Sequence, residues 1–329
     1  MALKIKTRRK PRWGIKQSLL LGLTIILLSA CSGYFSQAPS PSPPTASDCR
    51  MIQHARGETC VPLNPQRVIV LHRAMLANAI ALGVQPVGST SIYISSGTKF
   101  PPYLEDKVDE KLELIGTEEQ PNLEKIARLK PDLILGFTYN ATYDQLSQIA
   151  PTALIDLNMP GEWKDHLEFV AQTLGKTAEA KQLLEEYNRQ IEQFKTAIGD
   201  QLAQFQVSLV NGGGNAAFLR SDVKDSFAGT ILSDAGLQRP PAQNIKGLDI
   251  EINLETIPQL EGDAIFITLV SDDKGDQVWK RLQRHPLWSQ LKAVKQDRVY
   301  LVDYSTWRGI NILAAYGVID DLFKYLVEK

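Results

Sequence analysis

The sequence contains little cysteine and little histidine: three and four residues, respectively, in a chain of 329. No two histidines lie three or four positions apart, whereas zinc and manganese sites usually combine several imidazoles with a carboxylate. The cysteines form no CxxC motif, and the chain has no GxSxG, no HExxH and no phosphate-binding loop. These absences leave no enzyme class with a recognisable motif and argue against a site for a bare metal ion.

The sequence also lacks an apolar run long enough to span a membrane. The run near its start, Ser18–Ala30, covers about 13 residues, whereas a transmembrane helix needs roughly 20. Seven basic residues and no acidic one precede it, as in a secretory signal peptide, so residues 1–30 are predicted to be a processing signal. Leu-Ser-Ala-Cys (28–31) resembles the lipobox of bacterial lipoproteins, which implies that Cys31 is lipidated. The alternative is an ordinary signal peptide with an incidental cysteine.

The next segment and the charge balance indicate an exported, tethered protein. Residues 31–47 are rich in Ser and Pro, carry no charge before Asp48 and read as a flexible tether. The chain has 36 Lys+Arg and 37 Asp+Glu; without the seven basic residues of the signal, 29 basic residues face 37 acidic ones, a net charge of −8. An acidic protein lacks the basic footprint that nucleic acid requires. We therefore expect lipid anchoring on the extracytoplasmic side of a bacterial membrane.

Cys49 and Cys60 remain after the signal and the lipobox. They are nearly symmetric about a predicted turn at Ala55–Gly57, between short strands at 50–54 and 58–62. The pattern predicts a hairpin with the two cysteines opposite each other and joined by a disulfide, as expected outside the cytosol. The alternative is a pair of free thiols.

Strand and helix patterns alternate through the rest of the chain. The apolar segments RVIVL (67–71), DLILGF (132–137) and TALIDL (152–157) read as buried parallel strands separated by helices, and QVSLVNG (206–212), DAIFITL (263–269) and RVYLVDY (298–304) repeat this pattern. Between the two series, residues 161–204 contain only helical signals, including an amphipathic helix from about 177 to 202. The sequence predicts an α/β fold with two mostly parallel sheets: an N-terminal lobe at 48–160, connecting helices at 161–204 and a C-terminal lobe at 205–329.

Arginines and aromatic residues follow the predicted strands. Ligands of open α/β sheets bind beyond the carboxyl ends of the strands, and guanidinium groups beside aromatic rings suit a bulky, oxygen-rich, anionic or polarised ligand. Among the histidines, His72 is placed to face a cleft, whereas His166 and His285 fall in helical segments where a solvated or capping role is expected. The candidate ligand-binding residues are His72, Arg73, Tyr93, Tyr139, Phe218, Arg220, Tyr304, Trp307 and Arg308.

Six stretches, in order along the chain, resemble the substrate-binding lipoproteins of bacterial ABC importers for ferric siderophores and cobalamin. They are HARGET (54–59), PLNPQRVIVL (62–71), ALGVQPVG (81–88), PNLEKIARLKPDLI (121–134), DSFAGTILSDAGLQRP (225–240) and AAYGVIDDL (314–322). The resemblance implies the helical-backbone type of binding protein, in which one long helix joins two lobes. It also implies a monomer that captures its ligand in the cleft and uses no cofactor and no metal bound directly by the protein.

The same resemblance assigns roles to single residues. Glu124 and Glu255, each in an Asn-Leu-Glu sequence, match the glutamates that dock on the dimeric ABC permease. Phe218 and Arg220 match a cleft element that contacts hydroxamate siderophores, and Trp307-Arg308 lies where relatives place a late aromatic or arginine. The aromatic residues among the candidate arginines reduce the positive charge expected at the site. This favours a hydroxamate or citrate-hydroxamate iron complex over a catecholate. Haem, cobalamin and an exported enzyme acting on an iron complex are the alternatives.

Overall fold

The computed structural model describes residues 49–91, 100–140, 142–157, 163–212, 219–270 and 273–328. The twelve strands found there are β1 (Cys49–His54), β2 (Gly57–Pro62), β3 (Val68–Val70), β4 (Gly88–Ser91), β5 (Glu113–Thr117), β6 (Leu133–Phe137), β7 (Thr152–Ile155), β8 (Val207–Gly212), β9 (Leu219–Asp222), β10 (Asp249–Ile252), β11 (Ala264–Leu269) and β12 (Val299–Asp303). The eleven α-helices in the same residues are α1 (Arg73–Ala81), α2 (Pro102–Glu105), α3 (Leu123–Arg128), α4 (Tyr143–Leu146), α5 (Trp163–Leu174), α6 (Thr177–Ile198), α7 (Phe227–Asp234), α8 (Asp273–Gln283), α9 (Lys292–Lys295), α10 (Tyr304–Trp307) and α11 (Ile312–Leu326).

The first sheet is parallel throughout, in the order β5-β4-β3-β6-β7. Strands β3 and β6 at its centre are continuous apolar runs because helices cover both faces. Val68 and Val70 face one apolar cluster, whereas Ile69 and Leu71 face another, as the two-residue period of a strand requires. The predicted strands of this half are confirmed to within a few residues.

The second sheet is mixed, in the order β10-β9-β8-β11-β12. Strands β8, β11 and β12 are parallel, but β9 is antiparallel to both of its neighbours. Strands β9 and β10 were not expected from the sequence, because LRSD and DIEI are short and carry charged residues that break the apolar pattern. The α/β architecture with two sheets flanked by helices is confirmed.

The N-terminal hairpin pairs β1 with β2, and a disulfide joins Cys49 and Cys60, whose Cα atoms are 5.5 Å apart. The expectation that the two cysteines lie opposite each other is wrong. Cys60 pairs with Met51 and Cys49 pairs with Pro62, so the bridge runs diagonally across the ladder. The reason is the position of the turn: the ladder is centred between Ala55 and Arg56, whereas Cys49 and Cys60 are symmetric about the bond between His54 and Ala55, one residue earlier.

The predicted long helix is α6, whose 22 residues correspond to roughly 33 Å at 1.5 Å per residue. Its buried side chains, Tyr187, Ile191 and Phe194 among them, belong to one apolar cluster that also contains residues of both sheets and of α11. Polar contacts add to this packing: Tyr187 donates to Asp234 of α7, and Tyr316 of α11 donates to the carbonyl of Leu183. No helix in the described part of the chain is both long enough and apolar enough to cross a bilayer.

Gly175 ends α5 in a left-handed conformation, with φ of 73°, against the guanidinium group of Arg50. Arg50 donates to the carbonyls of Thr173 and Leu63 and so connects the hairpin to α5. Gly83 follows α1 with φ of 80° and has the same pattern of terminal hydrogen bonds, but open space lies where a Cβ atom would be. The two glycines therefore form a matched pair for measuring the contact with Arg50.

We expect Gly83→Ala to lower the free energy of unfolding by about 1 kcal/mol, the cost of placing a Cβ at positive φ. Gly175→Ala should cost about 1–2 kcal/mol more, because the new methyl group displaces Arg50 from its two carbonyl acceptors. Urea unfolding monitored by circular dichroism measures both values. In an Arg50→Ala background the two substitutions should cost the same; equal costs in the wild-type background would contradict the prediction.

Candidate functional site

A cavity of about 300 Å³ lies between the two halves of the fold. Its walls come from α1, the loop after β7 and α5 on one side, and from β9, α7, β10 and α10 on the other. Strands β3, β7 and β12 all end next to it, as expected for a site at the carboxyl edges of the sheets. The lining residues are Arg73, Leu157, Trp163, His166, Asp222, Asp225, Ser226, Phe227, Leu248, Asp249, Tyr304, Trp307, Arg308 and Ile310.

Each of the three arginines predicted for the site is paired with a carboxylate. Arg73 contacts Glu118 at 3.0 Å and Arg308 contacts Asp222 at 2.6 Å, and both arginines line the cavity. Arg220 is more exposed and contacts Asp249, a lining residue, at 2.5 Å. Burial raises the pKa of Asp222, against the opposing effect of Arg308.

His72 is not among the lining residues of the cavity, but it contacts Glu118, the carboxylate that pairs with Arg73. Its Nδ1 accepts the backbone N–H of Ala74 and so caps α1, and its Nε2 lies 3.3 Å from Glu118. Glu118 also accepts from the backbone N–H of Arg73. Burial lowers the pKa of His72 well below its usual value, and the charge of Arg73 acts in the same direction. His72 is therefore neutral at pH 7, with its proton on Nε2 for donation to Glu118.

Comparison with known proteins gives this cavity a family context. A family model for periplasmic binding proteins matches residues 68–306. The chain belongs to the periplasmic binding protein family. A Bacillus subtilis protein named "Probable siderophore-binding lipoprotein YfiY" is 31% identical, over 93% of this chain and 96% of that protein.

Two solved structures resemble this periplasmic binding protein along most of its length. Staphylococcus aureus SirA complexed with staphyloferrin B superposes with a TM-score of 0.73 and 29% identity, covering 84% of this chain and 98% of SirA. Bacillus subtilis FeuA complexed with ferri-bacillibactin gives a TM-score of 0.70 and 25% identity, covering 85% and 99%. Since these relatives are substrate-binding proteins, the protein is a binding protein and not an enzyme.

The aromatic residues predicted for the site have different surroundings. Tyr304 lines the cavity and lies beside the Arg308 guanidinium. Trp307 also borders the cavity but is only 1% exposed, because its indole stacks on Phe266 and donates to Asp321. Tyr139 is 53% exposed, stacks beside Phe137 and is not among the lining residues. Tyr93, Phe218 and Cys31 lie outside the described residues.

Sequence reasoning missed four titratable residues of the cavity wall: His166, Asp222, Asp225 and Asp249. The expected solvated or capping role of His166 is wrong, since the residue is 3% exposed and burial lowers its pKa. Asp222 and Asp249 are Cα partners in the β9–β10 ladder, and these were the two strands that the sequence did not predict. Recognising the polar strand pair β9–β10 would have placed both carboxylates at the site.

The two glutamates predicted for docking occupy equivalent positions. Glu124 is the second residue of α3, after edge strand β5, and Glu255 is the second residue of a 3₁₀ helix, Leu254–Leu260, after edge strand β10. An asparagine, Asn122 or Asn253, caps each helix through its side chain. Both glutamates are exposed, and neither forms an ion pair within the described residues. β5 and β10 point in the same direction as the central strands of their sheets, so both glutamates follow the carboxyl end of an edge strand.

His72 makes the stability of this periplasmic binding protein dependent on pH. The pKa of His72 is lowered in the fold from its ordinary value of 6.5, so below about pH 6.5 the unfolded chain binds a proton that the folded chain does not. We expect the free energy of unfolding to fall as the pH is lowered through this range, by up to about 1.4 kcal/mol per pH unit from this residue.

The His72→Asn variant retains a side-chain oxygen that can cap α1 but has no imidazole to titrate. The difference in unfolding free energy between wild type and variant should be constant above about pH 7 and should shift in favour of the variant below pH 6.5. Urea unfolding between about pH 5 and 8 measures this difference. Parallel pH profiles of the two proteins down to pH 5 would contradict a depressed pKa for His72.

Proposed function

We propose that the protein is the extracytoplasmic substrate-binding lipoprotein of an ABC importer and that it captures a ferric siderophore in the cavity between its lobes. The observation that carries this proposal is the cavity itself, to which both halves of the fold contribute and in which Arg73 and Arg308 come from opposite walls. A siderophore complex presents many oxygens around its iron, and guanidinium groups provide several N–H donors in a fixed plane. YfiY, SirA and FeuA supply independent support through their names and bound ligands.

The favoured ligand is a hydroxamate or citrate-hydroxamate complex. The arginines at and beside the cavity already face Glu118, Asp222 and Asp249, so little positive charge is left for a trianionic tris-catecholate. The indole and phenol of Trp307 and Tyr304, with Leu157 and Phe227, provide apolar surface for the carbon framework of the ligand. Haem and cobalamin are the competing ligands.

Delivery of the ligand to the permease would depend on the lipid anchor and on the docking glutamates. Lipid on Cys31 and the tether at 31–47 would hold the binding protein near the permease as a monomer, and Glu124 and Glu255 would contact basic pockets of the permease dimer. The rigid α6 and the core around it favour a small closing motion when the ligand binds.

Tryptophan fluorescence tests ligand capture, because Trp163 and Trp307 border the cavity. We expect saturable quenching by a neutral ferric trihydroxamate. Arg220→Ala should weaken binding about tenfold, since each lost charge-assisted hydrogen bond contributes about 1.5–3 kcal/mol. Lys224→Ala removes a nearby exposed cation whose side chain forms no hydrogen bond or ion pair with the described residues, and it serves as the control. Saturation by haem or cobalamin alone would replace the siderophore assignment, and no saturable response to any of these ligands would refute it.

If the two glutamates dock on the permease, substituting them should reduce iron uptake without changing the affinity for the ligand. Glu124→Gln and Glu255→Gln should leave ligand affinity unchanged, because both side chains are exposed and lie outside the cavity. Together they should reduce siderophore-dependent iron uptake by at least about tenfold, as expected when charged groups that orient a complex are removed. Glu105→Gln changes an exposed carboxylate of α2 and is the matched control. Wild-type uptake by the double variant would exclude these residues from docking.

A further inference from the structure

The described wall of the cavity carries more negative than positive charge. Two arginines, Arg73 and Arg308, stand against three aspartates, Asp222, Asp225 and Asp249, which gives a net charge of −1. His166 adds no positive charge at pH 7, because burial lowers its pKa. A cavity of this composition does not attract a strongly anionic ligand through its overall field.

The individual ion pairs lead to the same conclusion. The carboxylates of Glu118 and Asp222 are each only 7% exposed and lie 3.0 and 2.6 Å from Arg73 and Arg308. An anionic group that approached either arginine would have to compete with a carboxylate already in place. Displacing that carboxylate would leave a buried charge without its partner, at a high cost in free energy.

Asp225 differs from the other carboxylates of the cavity. One of its oxygens, Oδ2, accepts the backbone N–H of Gly247 at 2.8 Å. No basic side chain of the described residues forms an ion pair with it, although it is half-buried in the cavity wall. Asp225 immediately precedes Ser226, which caps α7, and this position fixes the carboxylate beside the ligand volume. The cavity thus contains a positioned negative charge that no cation of the described residues neutralises.

We propose that Asp225 is the subsite for a protonated amine of the ligand and that the cavity takes ferric complexes of net charge zero or +1. The inference rests on the proposed siderophore function and narrows it to hydroxamate complexes, especially those with a free ammonium group. In this arrangement the arginines donate hydrogen bonds to oxygens around the iron, and Asp225 forms an ion pair with the ammonium group. Complexes with several uncompensated carboxylates or catecholates are disfavoured.

Two ligands that differ only in the amine test the proposal. A linear ferric trihydroxamate with a terminal ammonium group and its N-acetylated derivative have the same iron centre but charges of +1 and zero. We expect the purified wild-type protein to bind the ammonium form about five- to tenfold more tightly, as for a partly exposed ion pair. The ratio should decrease at high salt, which screens the interaction.

The Asp225→Asn variant retains an oxygen for the Gly247 N–H and removes only the charge. The preference for the ammonium ligand should disappear in this variant, while the affinity for the acetylated ligand stays unchanged. Asp200→Asn makes the same change of charge at an exposed position after α6 that is not among the lining residues of the cavity, and it should leave the preference intact.

The outcomes separate the subsite from the proposed function. Equal affinity of the wild-type protein for the two ligands would overturn the subsite while leaving siderophore capture in place, as would a preference that persists in Asp225→Asn. Tighter binding of a trianionic ferric tris-catecholate than of either hydroxamate would overturn the charge selectivity. Failure of every ferric complex to bind would refute the proposed function itself. The ligand ratio in wild type and its salt dependence decide the question even if Asp225→Asn does not fold.

Discussion

A single apolar core shared by the two sheets is the constraint on which the rest of the structure depends. Val70 and Leu135 of the first sheet, Val207 and Phe266 of the second, and the inner faces of α6 and α11 all belong to it. Each sheet has in addition a separate cluster on its outer face. Because the inner cluster is common to both halves, neither sheet can move far without exposing apolar surface, at roughly 25 cal/mol for each Å².

This shared core places the cavity and limits its shape. Asn78 of α1 accepts the backbone N–H of Ile312 at the start of α11, 234 positions away in sequence, and both groups are buried. Asn311, next to Ile312, caps α11, and Arg308 lies just before it at the end of α10. The arginine on the second wall is therefore held by the same contacts that join α1 to α11. Arg73, which begins α1, is held on the first wall, so packing sets the distance across the cavity.

The predictable part of the fold was the part with apolar periodicity. Strands β3, β6, β8 and β11 consist mostly of buried apolar residues, and α6 and α11 have a clear apolar face. Because such patterns reflect burial directly, they can be read from the sequence without knowing which residues pack against each strand or helix. Strands β9 and β10 carry Arg220, Asp222, Asp249 and Glu251 and pair with each other through their backbones. Their strand conformation follows from the ladder with β8 and not from their own residues, which is why local pattern could not find them.

Within the site, the sequence by itself determined which residues are placed after the strands of the sheets. Arg73, Tyr304 and Arg308 could be identified because strand ends can be read from apolar runs, and loops at carboxyl edges converge in this class of fold. Only the tertiary structure decided which charges face each other. The pairs Arg73–Glu118 and Arg308–Asp222 join residues 45 and 86 positions apart, and Asp225 has no such partner in the part of the chain that the structure describes. Electrostatic interaction depends on distance through space and on burial, and neither quantity is encoded in the local order of the residues.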